Sequence, residues 1–145
     1  MSRFSFAPPR IVGRAMHQLR SRLSRNTQSR FDLIIRSLRS HLNNRSSRFD
    51  TPHSQRWLTV KLVPRKAIIA FRSKSNSLEF DIDTYPESGR DITDEEGLFR
   101  RPLRPYHHKP NKVYVAIISE QTPIRSVEYF IRKMINAIDL FEFPN

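Results

Sequence analysis

Residues 57–83, WLTVKLVPRKAIIAFRSKSNSLEFDID, decide the fold. In the opening part Trp57, Thr59 and Lys61 alternate with Leu58, Val60 and Leu62 before Pro64 closes the run. Side chains that alternate with period two occupy opposite faces of a strand, and proline cannot donate to a sheet ladder, so a strand ending near Leu62 is expected. Lys66 to Arg72, with Ala67-Ile68-Ile69-Ala70-Phe71 at its centre, predicts a second strand. Asn76 to Asp83 predicts a third, with Leu78, Phe80 and Ile82 on one face and Glu79, Asp81 and Asp83 on the other. The connections are too short for crossovers, so the three strands should form an antiparallel meander.

Downstream of the meander, Pro86 to Arg90 reads as loop, and Thr93-Asp94-Glu95-Glu96 offers a capping box for a short helix through Phe99. Lys112 to Ser119 is nearly all apolar and predicts a strand buried on both faces in the middle of the sheet. Thr122 followed by Pro123 predicts a helix start with Pro123 at the first helical position, and Ile124, Val127, Ile131, Met134, Ile135 and Ile138 mark its core-facing stripe.

Upstream, Pro9 to Arg25 gathers Ile11, Val12, Ala15, Met16, Leu19 and Leu23 on one face, which makes a basic amphipathic helix. A second helix is expected over 28–42, with Phe31, Ile34, Ile35, Leu38 and Leu42 buried and Asn26 or Thr27 as its cap. Asn43-Asn44-Arg45-Ser46-Ser47 is rich in turn formers and separates the helices from the strands. The fold class expected is α+β: a small antiparallel sheet, the meander plus one later strand, packed by helices. Residues 1–30 form an arginine-rich helical arm, and 31–145 the α+β domain.

The chain has 145 residues, 37% of them apolar and fifteen aromatic, which suits one core. No run is long and apolar enough to span a bilayer or to serve as a secretory signal, and a membrane partner is not expected. Cysteine is absent, which removes disulfides, thiolate metal sites and thiol nucleophiles. Charge is distributed unevenly. All eleven bases among the first fifty residues are arginine and only Asp32 and Asp50 oppose them, so +9 of the formal +12 lies there. A pI near 11 implies attraction to polyanions.

From Phe31 onward the chain resembles a small uncharacterised domain family described as "predicted transport protein", found alone or fused to restriction-type nuclease domains. The stretches that carry the resemblance are Ile69-Ala70-Phe71-Arg72, Leu78-Glu79-Phe80-Asp81-Ile82, Asp94-Glu95-Glu96-Gly97-Leu98-Phe99-Arg100 and Ser126-Val127-Glu128-Tyr129-Phe130-Ile131. His107 falls where that family has a histidine in a Gly-His loop, flanked here by Tyr106 and His108. The resemblance implies the fold and an association with nucleic-acid-handling or defence systems, and it transfers no catalytic residue.

The candidate nucleic-acid-binding residues are Arg14, Arg20, Arg22, Arg25, Arg30, Arg36, Arg39, Arg45 and Arg48 on the helices and after them. A second basic stretch adds Arg100, Arg101, Arg104, His107 and Lys109 around Tyr106, where cations could hold a backbone while the ring stacks a base. Guanidinium forks match phosphate oxygens, which favours phosphate tracking with little sequence preference, on DNA or RNA. Three alternatives stay open. The basic face could dock an acidic protein as an inhibitor or subunit, it could be a solvated surface, or residues 1 to about 25 could be a mitochondrial presequence. A homodimer is compatible with the chain. Glu79, Asp81, Asp83, Glu87, Asp91, Asp94, Glu95 and Glu96 invite a metal-dependent nuclease, but no base follows them in a (D/E)xK pattern. Metal and cofactor are expected to be none, and the chain is read as a cytoplasmic non-enzyme.

Overall fold

The fold is α+β, with three helices and an open five-stranded antiparallel sheet among the described residues. The computed structural model describes residues 6–51, 57–62, 66–83, 93–100 and 113–143. In chain order the elements are α1 (Pro9–Ser21), α2 (Arg25–Leu42), β1 (Arg48–Asp50), β2 (Leu58–Leu62), β3 (Lys66–Lys74), β4 (Ser77–Asp83), β5 (Val113–Ile118) and α3 (Ile124–Glu142). The strands lie in sequence order, each antiparallel to the next.

The meander forms where the alternation places it. In β4, Leu78, Phe80 and Ile82 are buried while Glu79, Asp81 and Asp83 are only half-buried. Phe71 of β3 pairs with Phe80 of β4, and their rings stack at 5.3 Å between centroids. That stack is the middle of a chain of rings: Phe31 of α2 lies 6.5 Å from Phe71, and Phe130 of α3 lies 4.8 Å from Phe80. Helices α1, α2 and α3 all contribute to this one core, through Val12, Met16 and Leu19, through Phe31, Ile34 and Leu38, and through Val127, Phe130, Met134 and Ile138. Aromatic pairs at these separations add to the area they remove from water, so the rings couple the helical layer to the sheet. Between β3 and β4 the chain reverses over Ser75 and Asn76, with Ser75 in the left-handed region at φ 55°.

The structure departs from the sequence expectations in five places. A fifth strand, β1, pairs with β2 through Phe49 and Val60. Three residues are too few to show a period, which is why it escapes sequence reading. Strand β5 is an edge strand and not a central one. Tyr114, Ala116 and Ile118 are buried, and Val115 and Ile117 are half-buried, so its apolar run covers one core face and one partly sheltered outer face.

The expected helix through Phe99 does not form. Residues 93–100 make a turn in which the Asp94 carboxylate accepts from the Leu98 and Phe99 amides at 3.0 and 2.9 Å. Gly97 supplies the left-handed φ of 66° that the turn needs. Arg100 then exchanges both backbone hydrogen bonds with Val115, at 2.6 and 2.7 Å, which covers part of the open edge of β5.

Fourth, α2 begins three residues early. Ser24, not Asn26 or Thr27, is the cap, its Oγ accepting from the Thr27 amide while its own amide donates to Asn76 Oδ1 at 2.7 Å. A tertiary bond to the β3–β4 turn thus selects among several residues of capping type. Likewise α3 starts at Ile124, with Pro123 in the cap position instead of the first helical one. The expected loop at Pro86 to Arg90 lies outside the described residues. No helix among the described residues is long and apolar enough to cross a membrane.

Candidate nucleic-acid interface

Burial of one stripe of each N-terminal helix fixes where its arginines go. Because Val12, Met16, Leu19 and Leu23 face the core, Arg10, Arg14 and His17 are left exposed to solvent. In α2, burial of Phe31, Ile34, Ile35 and Leu38 turns Arg25, Asp32, Arg36 and Arg39 outward. Three residues separate the helices, and Arg20 of α1 meets Asp32 of α2, with Nε and Nη2 donating to the two carboxylate oxygens at 2.8 and 2.9 Å. This bidentate pair holds Asp32 below the usual carboxylate range.

Beside the pair, α1 and α2 enclose an open groove of about 380 Å³. Met16, Phe31 and Ile35 lie along its base, and His17, Arg20, Arg36 and Arg39 stand around it with Asp32 as the one anion among its lining residues. Three guanidinium groups around one acid, itself claimed by Arg20, leave the groove positive. An anion entering it would meet Arg36 and Arg39 without first breaking an ion pair, with the Asp32 charge acting on Arg36 as well as on Arg20.

The sequence candidates divide into two groups. Arg14, Arg22, Arg25, Arg36 and Arg39 are exposed, and no side-chain hydrogen bond or ion pair joins them to another described residue. Arg10, which the sequence reading did not select, shares that exposed character, and so does His17 of the groove. Both sit at helical spacing from Arg14, one turn to either side, a signal available in the sequence. The remaining candidates hold the fold. Arg30 donates to the carbonyl of Thr122 at 2.8 Å and of Asn26 at 3.0 Å, tying α2 to the start of α3.

Arg45 donates to Asp139 Oδ1 at 2.9 Å, and His41 Nε2 lies 2.9 Å from the same oxygen. Burial pulls the Asp139 carboxyl up, but these two partners outweigh it and hold the group below its ordinary range. Arg48 turns back on the end of α2, donating to the carbonyls of Leu42, Arg45 and Ser47. Cations at a helix C-terminus satisfy orphan carbonyls and oppose the negative end of the dipole. Arg100 is exposed, with its backbone in the bridge to Val115. Arg101, Arg104, His107 and Lys109 lie outside the described residues.

The acidic residues are scattered in role as well. Glu79 accepts from Arg72 Nε at 3.1 Å, and the Arg72 guanidinium lies 4.4 Å over the Trp57 ring. Burial and the neighbouring Glu79 push the Asp81 carboxyl up to about 6, and its Oδ1 is buried without a hydrogen-bond partner among the described residues. Asp94 and Glu95 belong to the 93–100 turn, where the Tyr129 hydroxyl lies 2.8 Å from Asp94 and 3.1 Å from Glu95. Lys133 Nζ sits 2.8 Å from Glu95 Oε2 and holds that carboxyl down at about 2. Burial pushes the Tyr129 phenol up to about 12. Glu87 and Asp91 are outside the described residues, and among those described no group of His, Asp and Glu could hold a metal ion. No protein-family model, curated protein or solved structure matches the chain.

Proposed function

We propose that this is a basic, non-enzymatic nucleic-acid-binding accessory protein that grips phosphates through the solvent faces of α1 and α2, with little sequence preference. One observation carries the proposal: Arg10, Arg14, Arg22, Arg25, Arg36 and Arg39 are exposed on or beside two helices that pack into one core, and they are in no ion pair with an acid among the described residues. Folded helices hold these cations in fixed register, so less side-chain and backbone freedom is lost on binding than a disordered basic tail would lose.

The resemblance to the "predicted transport protein" domain family adds the expectation of a role beside nucleic-acid-handling or defence systems. We take the compartment to be the cytoplasm. Packing of Val12, Met16 and Leu19 into the common core supports a retained α1 over a presequence that is cleaved after import.

Fluorescence anisotropy with labelled DNA and RNA tests the proposal. Micromolar binding at low salt is expected, weakening on a log–log plot with a slope no steeper than about −5 if all six free arginines reach phosphates. Replacing Arg14, Arg25, Arg36 and Arg39 by Gln should flatten that slope by roughly one for each phosphate that is no longer neutralised. Absence of binding to any nucleic acid at low salt overturns the proposal. An acidic protein partner that competitor DNA does not displace would replace it with the docking alternative.

A further inference from the structure

We infer that the α1–α2 groove takes a single-stranded polynucleotide in preference to a duplex, a step that rests on the nucleic-acid function proposed above. The trough has Met16, His17 and Arg20 of α1 on one side and Asp32, Arg36 and Arg39 of α2 on the other. Its volume of about 380 Å³ is at the lower end of the ~300–1,000 Å³ typical of small-molecule pockets, room for a nucleotide's base and sugar. A duplex keeps its bases between two backbones and would offer this trough phosphates alone. A single strand can slide a base under the planar guanidinium groups of Arg36 and Arg39, over the edges of the buried Met16, Phe31 and Ile35, while its phosphates meet His17 and the unpaired arginines beside it.

Gly13 is the independent sign that the trough is meant to stay open. It precedes His17 by four residues and Arg20 by seven, so it lies on the same stripe of α1 as those two groove residues. A glycine in the middle of a helix lowers its stability relative to alanine. No packing reason offsets that here, because a Cβ at this position would meet nothing within 4 Å and φ is not in the left-handed region. A side chain at Gly13 would project into open space one turn before His17, at the approach to the trough from the start of α1. Because the residue numbers that share the groove fall along α1 as they rise along α2, Arg39 borders the same end.

The test compares oligo(dT), oligo(rU) and a duplex of equal length by fluorescence anisotropy, for the wild type, Gly13→Leu and His17→Glu. The wild type should bind one or both single strands about tenfold more tightly than the duplex, the scale of one stacked base. Gly13→Leu leaves every charge in place, so it should remove about tenfold of single-strand affinity while duplex binding stays unchanged. His17→Glu, at an exposed position, should lower single-strand binding more than duplex binding, and it serves if the leucine variant melts early.

Equal affinity for duplex and single strand, untouched by Gly13→Leu, overturns the groove inference and leaves phosphate gripping intact. No binding to any of the three probes overturns both. A preference between oligo(dT) and oligo(rU) tells whether the 2′-hydroxyl is part of what the groove recognises, and either result supports the inference if the duplex is the weakest.

Discussion

The α1–α2 pair and the region where α3 meets the 93–100 turn use charge in opposite ways. At α3, Lys133 is buried and bonded to Glu95 and Thr93, Tyr129 reaches Asp94 and Glu95, and Asp139 is shared by His41 and Arg45. On α1 and α2 the exposed arginines outnumber the one acid among them, Asp32, which Arg20 already holds. The difference teaches which cations to assign to folding and which to a partner. An ion pair locked by burial contributes to one conformation, whereas an exposed guanidinium with no counter-ion costs little to keep and stays available.

The largest expected effect tests whether the two regions stand on one core. Phe71→Ala removes the ring that meets Phe31, Phe49 and Phe80 and should cost about 3–5 kcal/mol. Urea unfolding followed by helix dichroism and by the fluorescence of Trp57 should give coincident transitions, shifted together. If the helical signal melted separately, the comparison would describe two independent units instead of two faces of one.

A smaller loss, about 1–2 kcal/mol, is expected from Tyr129→Phe, which deprives the turn of the hydroxyl shared by Asp94, Glu95 and the Glu96 amide. Hydrogen exchange at the Leu98 and Phe99 amides should quicken in the same variant. Unchanged exchange there would show that Asp94 holds the turn without α3.

The pH dependence sharpens the contrast on the sheet side. Since the folded Asp81 carboxyl titrates near 6, above its ordinary value of about 4, the native protein keeps a proton that the unfolded chain has released between those values. Stability contributed by this group is therefore full below about pH 4 and falls as pH rises through 6. Asp81→Asn should gain on the order of 1 kcal/mol at neutral pH, after allowance for screening of a half-buried group, and nothing below pH 4. A gain that is the same at both pH values would trace the effect to packing instead of ionisation.

The smallest expected change is in the stability of the variant with Arg14, Arg25, Arg36 and Arg39 replaced by Gln. Its unfolding free energy should stay within about 0.5 kcal/mol of wild type, even as nucleic-acid affinity drops. A larger loss in thermal melts would mean that these arginines belong with Arg30 and Arg45 as supports of the fold.

Much of this division was readable in the chain itself. The period of two in Leu78-Glu79-Phe80-Asp81-Ile82-Asp83 and the 3.6-residue stripes of α1, α2 and α3 follow from local geometry, which every residue reports independently. The candidate site was legible only as a set of arginines. Arg14 and Arg45 look alike as letters, yet one is exposed without a partner among the described residues and the other is bound to Asp139, which lies ninety-four positions along the chain. Arg48 and Arg30 were likewise indistinguishable from Arg36 until their carbonyl acceptors were in place.

What the sequence by itself determined, then, was the α+β class, the meander, the amphipathic helices and the concentration of arginine on the first two of them. Tertiary structure decided that β5 lies at an edge, that Asp94 folds a turn instead of capping a helix, and that Ser24 begins α2 because Asn76 is beside it. It also decided which arginines remain free and that His17, Arg20, Arg36 and Arg39 share one groove. The physical reason is range. Hydrophobic period and backbone propensity act over a few residues, while ion pairs, edge positions and grooves are made by groups that the chain brings together only when the core closes.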